Sequence, residues 1–235
     1  MKPNTSLAVL AGACGWLSAV GSFEATAQQL SSPSDNDKHP IYARVDLGGN
    51  WTPDIDLKEF FGPVDAGSKV RLHPGFRAGL TGGYEVLPWL APEIQVGYML
   101  NKVKSITGAT RLDEVYFGNV PILANVRLQY RNSSGLIPYI GAGVGTSISI
   151  IEAEHLDIGG TSVKGSAGTA VFAYQAFGGL RYEFNKHMGV CVEYRYFAAD
   201  SPNWDADTWS GTTTGSMKFG RSQTHTVSLG FEYHF

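Results

Sequence analysis

The last eleven residues constrain this chain more than any other stretch. From His225 to Phe235 a large side chain stands at every second position: His225, Val227, Leu229, Phe231, Tyr233 and Phe235. Small or polar residues lie between them: Thr226, Ser228, Gly230, Glu232 and His234. A period of two means a strand with one apolar and one polar face. Left open in water, so apolar a strand would be an adhesive edge. It needs strand partners on both sides and an apolar medium against its odd-numbered face.

The other end of the chain points to export. Lys2 precedes a short, uncharged and mostly apolar run from Leu7 to Val20, and Ala25-Thr26-Ala27 is a small-x-small cleavage site. Residues 1–27 therefore read as a signal peptide. Residues 28–40 are rich in Ser, Pro and Asp and read as a flexible lead-in. Cys14 follows Leu10-Ala11-Gly12-Ala13, a lipobox stretched by one residue, so lipidation is a minor alternative. The net charge of −3 gives no strong basic drive towards nucleic acid. Only Cys191 remains after cleavage, which rules out a disulfide framework. The rest of the chain has no apolar run long enough for a spanning helix, so a membrane would be crossed by strands.

Period-two segments recur through residues 41–235. They lie at 41–51, 75–86, 92–101, about 115–130, 138 to about 150, 170–184, 188–197 and the closing strand. The connections alternate: 87–91, 131–137 and 185–187 are short, whereas 52–74, 102–114, 151–169 and 198–223 read as long, mostly polar loops. Short turns at one end and long loops at the other are expected of outer-membrane barrels. The fold class is all-β: an eight-stranded antiparallel up-and-down transmembrane β-barrel. On this reading the long loops, with Trp204 and Trp209 in the last, meet the outside.

The polar faces separate this from a soluble barrel. They carry Arg44, Asp46, Arg77, Glu85, Glu93, Arg127, Arg181, Glu183, Glu193, Arg195 and Glu232: five arginines, six acids and no lysine. A solvated outer face would mix in lysine, whereas the planar arginine fork suits carboxylates in a confined space. We read this set as the charge network of a narrow lumen, with Val, Leu, Ile, Phe and Tyr facing lipid. Arg195→Leu would then leave a glutamate unpaired, at a cost of about 3–5 kcal/mol. Aromatics near both strand ends, such as Trp51, Phe76 and Tyr196 against Trp89, Tyr182 and Phe235, form two interfacial belts.

Three segments carry a family resemblance: residues 138–145 (Pro-Tyr-Ile-Gly-Ala-Gly-Val-Gly), residues 120–126 (Val-Pro-Ile-Leu-Ala-Asn-Val) and the terminal Phe231-Glu232-Tyr233-His234-Phe235. With these the chain resembles the eight-stranded outer-membrane barrels. That superfamily includes the transmembrane domain of outer membrane protein A, the opacity-type adhesins and the alphaproteobacterial porin-family outer-membrane proteins. The resemblance implies residence in a Gram-negative outer membrane, among its lipids and lipopolysaccharide. It implies that Val227, Leu229, Phe231, Tyr233 and Phe235 form the signal read by the barrel-assembly machinery. It also implies a monomer whose loops meet a host or surface ligand. The chain stops at its eighth strand, which argues against the peptidoglycan-tethering domain that some relatives carry.

Nothing in the sequence organises catalysis. His225 faces outward with no serine beside it on its strand face, so an interfacial histidine outweighs a lipid A-modifying enzyme of the His/Ser/Glu kind. His155 among Glu152, Glu154 and Asp157 has no recognisable metal-ligand spacing and reads as a solvated acidic loop. Gly141-x-Gly143-x-Gly145 precedes no helix and reads as small residues in a barrel wall. We expect no cofactor, no metal and no enzymatic activity. The leading expectation is a structural or surface-interaction protein with a salt-bridged, non-conducting lumen. The alternative is a small pore.

Overall fold

The computed structural model describes residues 40–132, 134–206, 209 and 214–235. The expected signal peptide and the lead-in up to residue 39 lie outside them. Twelve strands follow in order: β1 (Ile41–Trp51), β2 (Ile55–Phe60), β3 (Lys69–Leu72), β4 (Gly75–Tyr84), β5 (Leu90–Ile106), β6 (Ala109–Gln129), β7 (Leu136–Ile158), β8 (Thr161–Glu183), β9 (Met188–Ala199), β10 (Asn203–Asp205), β11 (Ser216–Phe219) and β12 (Ser222–His234). Eight of them close a ring. β1 pairs with β4, β4 with β5, and so on through β6, β7, β8 and β9 to β12, which returns to β1, every pair antiparallel. Closure leaves the apolar terminal strand no free edge, because β12 is paired with β9 on one side and β1 on the other. Among the described residues no helix is long and apolar enough to cross a membrane.

Two of the expected loops are not loops. β5 runs to Ile106 and β6 starts at Ala109; β7 runs to Ile158 and β8 starts at Thr161. Each pair is joined by a two-residue turn. Gly159 and Gly160 have φ of 58° and 83°, the double positive φ that a tight hairpin turn requires. Residues 102–114 and 151–169 are thus continuous ladder that carries the wall beyond the membrane. His155, Glu152, Glu154 and Asp157 lie on this extended strand, not in a loop.

The other two loops hold the short strands. β10, β11, β2 and β3 pair in that order, and β3 joins the upper part of β5. This sheet continues through the upper β6, β7 and β8, and β10 comes back against β8. A second storey therefore stands on the membrane barrel.

The two storeys have opposite insides. On β7 the outward side chains Ile140, Val144 and Ile148 are exposed, while inward Gly143, Ser147 and Ser149 face the lumen. Past Ile150 the faces swap: Glu152 and Glu154 point out, and Ile151, Ala153, Leu156 and Ile158 are buried. β5 does the same, with Ile94, Val96 and Tyr98 outward and then Lys102 and Lys104, while Val103 and Ile106 turn inward. The physical cause is the medium on each side. In lipid the apolar side chains belong outside; in water they belong inside. The span from Ile140 to Ile150 matches the roughly nine to eleven tilted residues that cross a bilayer.

Candidate functional site

The membrane storey is filled by its own side chains in layers. At the short-turn mouth Arg131 bridges Glu85 at 2.7 Å and Glu183 at 3.1 Å. Deeper in, Glu232 is the hub. Its carboxylate meets Arg127 at 2.8 Å, Arg181, Arg44 at 3.8 Å and His234 at 2.8 Å. Glu93 accepts from the Tyr42 hydroxyl at 2.8 Å and lies 3.5–3.6 Å from Arg127 and Arg44. Glu193 meets Arg195, Arg44 at 3.5 Å and the Tyr139 hydroxyl at 3.1 Å. Asp46 pairs with Arg77. Arg127 on β6 reaches Glu232 on β12 across the lumen, while pairs such as Asp46–Arg77 and Glu193–Arg195 tie neighbouring strands or one strand to itself; the arginine planes also lie over rings, Arg127 4.4 Å from the Tyr42 centroid and Arg195 4.7 Å from that of Phe177.

Above the charges comes an amide layer, in which Gln175 donates to Gln95 and Asn125, both at 2.6 Å. Met99, Leu123, Ala173, Phe197 and Ala199 form a small apolar cluster next to it. Asn101 then donates to Asn50 at 2.6 Å, and Ser149 to Asn119 at 2.8 Å. The outer storey follows, with an apolar core that includes Ile55, Phe60, Val70, Phe117, Ile151, Trp204, Trp209 and Phe219. The Trp204 ring is T-shaped against Phe117 and Phe219, and its indole N–H donates to the Ser149 carbonyl at 3.1 Å. Trp204 and Trp209 are 2% and 6% exposed, so the expectation that they meet the outside is overturned. For Trp204 the Ser149 carbonyl satisfies the one indole N–H, which lets that ring sit in an apolar core.

All eleven residues of the expected charge network point into the barrel or its mouth: nine are almost fully buried, and Glu85 and Glu183 sit at the rim. The Arg195 expectation needs correction. Its partner Glu193 keeps Arg44 and Tyr139, so losing Arg195 does not strand that carboxylate. Sequence reasoning missed Arg131, Tyr42 and Tyr139; alternation places Gln95 and Gln175 on the polar face, but the expected network did not include them. Tyr42 and Tyr139 were hidden by glycines across the ladder. A Cβ at Gly83 would come within 2.2 Å of the Tyr42 hydroxyl oxygen, and one at Gly179 within 2.7 Å of that of Tyr139. Likewise the inward Gly141 leaves room for Phe177. The wall glycines are the sockets of the large lumen side chains.

On the lipid-facing wall His225 is held by aromatics. Its Nδ1 is 2.7 Å from the Tyr194 hydroxyl, and its ring stacks on Trp51 with centroids 5.4 Å apart. On the outer storey the Lys102 ammonium, 2.6 Å from Glu114, holds that carboxyl below its ordinary range. Among the described residues no group of three His, Cys, Asp or Glu side chains could hold a metal ion.

A family model described as "Outer membrane protein beta-barrel domain" matches residues 16–235. Among solved structures, the outer membrane protein OprG of Pseudomonas aeruginosa is similar at 15% identity and a TM-score of 0.52, over 85% of this chain and 100% of its own. The outer membrane protein AlkL, solved by solid-state NMR in DMPC bilayers, is similar at 18% identity and a TM-score of 0.51, over 87% and 94%. At these identities the likeness is one of fold. A comparison with curated proteins finds no match.

Proposed function

Because this chain belongs to the outer membrane protein β-barrel domain family and resides in the outer membrane, we propose that its specific role is that of a sealed anchor presenting a folded exterior surface to a host or surface ligand. The observation that carries this is the pair of stacked plugs. A network of buried ion pairs, Arg127–Glu232 among them reaching across the lumen, fills the membrane storey, and an apolar core fills the storey above. A hydrated ion entering from outside would have to displace that core, then break buried pairs whose separation strands charge. The outer storey is built as a soluble protein would be, with charges out and apolar residues in, which suits a rigid display surface.

The lipid-facing, aromatic odd members of β12 serve in this reading as the assembly signal: Val227, Leu229, Phe231, Tyr233 and Phe235. The protein acts as a monomer and carries out no chemistry. Planar-bilayer recording of the purified protein tests the sealed lumen. We expect no reproducible discrete conductance; stable unitary steps that vanish with denatured protein would favour the small pore instead. Unchanged lipid A by mass spectrometry on overexpression is the expected result for a non-enzymatic barrel.

A further inference from the structure

The amide layer of the lumen holds more hydrogen-bond donors than the protein there can match. Arg195 donates from Nη1 to Gln95 Oε1 at 2.7 Å, and Gln175 donates to the same oxygen at 2.6 Å. Gln175 also donates to Asn125 Oδ1. The amide oxygens of Gln95 and Asn125 are thereby taken, while their amide nitrogens have no acceptor. Arg195 Nε, Arg77 Nε and Nη2, and the hydroxyls of Thr81 and Thr226 are likewise buried without a partner. Among the described residues, the one carboxylate or amide oxygen left unmatched beside them is Asp46 Oδ1, whose neighbour Oδ2 accepts from Arg77 Nη1.

The register draws these donors together. Thr81 stands opposite Gln95 across β4–β5, and Thr226 stands opposite Arg195 across β12–β9. The Arg195–Gln95 bond crosses the lumen and joins the two pairs. Between Arg77 and Thr81 on the inner face of β4 lies Gly79, which pairs with Gly97 of β5. Arg77 Nη2 is 2.9 Å from where a Gly79 Cβ would stand and 3.7 Å from where a Gly97 Cβ would stand. Its guanidinium therefore lies over two bare wall positions and reaches towards Thr81 and Gln95. Arg44 and Arg127 also keep N–H groups unbonded, but each lies within 3.9 Å of three carboxylates. Arg77 and Arg195 meet one each, Asp46 and Glu193. Charge points the same way. The deeply buried part of the network has five arginines and four carboxylates, since Glu85 and Glu183 lie at the mouth with Arg131.

We propose that the amide layer binds one small monovalent anion of the halide class, held by Arg195 Nε, Gln95 Nε2, Arg77 and the hydroxyls of Thr81 and Thr226. The anion brings the deeply buried charges to balance, and a buried charge without a counter-charge is costly. Donor count selects it over water. A water adds two hydrogens of its own to a layer whose amide oxygens are taken, whereas a halide adds none and accepts from every side. A divalent anion would overshoot the single excess charge. Asp46 Oδ1 lies beside Gly79, so the anion seats on the Gln95 side of the Arg77 guanidinium. With both storeys filled, the ion is taken up as the chain folds. That route rests on the sealed lumen; the site does not.

The test refolds the full chain into lipid vesicles in bromide, chloride or gluconate at one ionic strength. The urea midpoint should rise with halide concentration and stay flat in gluconate, as ligand linkage requires. Crystals of barrel refolded in bromide should show an anomalous peak in contact with Arg195 Nε and Gln95 Nε2. Thr81→Val with Thr226→Val keeps the side-chain shapes and breaks no hydrogen bond of either hydroxyl within the protein. It should lose about half or more of the halide-dependent shift, because two of the donors are gone, while the gluconate midpoint does not fall. Thr146→Val on the exposed lipid face should keep the whole shift. Heat-modifiable gel mobility confirms folding of each variant, and Thr226→Val alone replaces the double variant if that one misfolds. A parent midpoint that ignores halide overturns the proposal: the layer then holds water, and a bromide peak without a shift marks an adventitious ion only. A full shift in the folded hydroxyl variant overturns it too. Unitary conductance alongside an intact halide shift would refute the sealed lumen and leave the site standing.

Discussion

Glu232 is the residue whose loss should tell most about how this barrel is held together. It is fully buried and sits among Arg127, Arg181, Arg44 and His234. At 2.8 Å and an effective dielectric of about 20, its attraction to Arg127 alone is roughly 6 kcal/mol before desolvation. Desolvation offsets much of that in the intact protein, but removing one partner of a buried pair typically costs about 3–5 kcal/mol. Glu232→Gln keeps the side-chain volume and one carbonyl acceptor. Arg181 also retains Glu183 at 2.7 Å, and Arg127 retains Glu93 at 3.5 Å. The loss should therefore fall near the low end, about 3 kcal/mol. Urea unfolding in lipid vesicles, followed by tryptophan fluorescence, measures it as a lower midpoint at unchanged slope. Glu114→Gln, at the exposed pair with Lys102, is the control and should be indistinguishable from the parent. A Glu232→Gln midpoint within about 0.5 kcal/mol of the parent would refute the view that the lumen is a tightly coupled charge network.

Further outcomes follow from neighbouring contacts. Arg195→Leu should cost only about 1–3 kcal/mol, because Glu193 keeps Arg44 and Tyr139 and the lost bonds are those to Glu193 and Gln95; the same urea titration distinguishes this from the larger Glu232 effect. Trp204→Ala should cost about 3–5 kcal/mol locally by opening a cavity in the outer storey. Limited proteolysis should then cut the outer storey faster while the heat-modifiable shift of the barrel persists, and loss of both together would show that the storeys do not separate. Gly83→Val should displace Tyr42 from Glu93 and cost about 1–3 kcal/mol by overpacking, whereas the same change at Gly82, where an added Cβ meets nothing, should be tolerated.

Much of the membrane storey was legible because a barrel wall is written locally. Each of its eight strands alternates residue by residue, so the facing of Arg44, Glu93 or Arg127 follows from phase alone. The outer storey was harder to read. Its strands keep the period of two while the meaning of the two faces reverses at Ile150–Ile151, so the upper halves resembled polar loops. The signal was present in Thr107-Gly108 and Gly159-Gly160, dipeptides suited to tight hairpins and flanked by alternating apolar residues. The short strands β2, β3, β10 and β11 carried no comparable mark, being three to six residues each, with β2 and β11 paired across more than a hundred positions of sequence.

By itself the sequence determined the all-β class, the eight-strand count, the outer-membrane setting and which charges face inward. The class, strand count and facing follow from short-range periodicity and from the choice of arginine over lysine, and the outer-membrane setting also from the export segment, the alternating connections and the family resemblance. Only the tertiary structure decided which carboxylate each arginine meets, that Trp204 and Trp209 are core and not surface, and that Trp51 stacks on His225 on the outer wall. Those depend on the closed register of the ring, which brings Arg127 to Glu232 and Trp51 to His225 from distant parts of the chain. Alternation along one strand fixes the side on which a residue lies. The residue it meets there is set by the strands across the barrel.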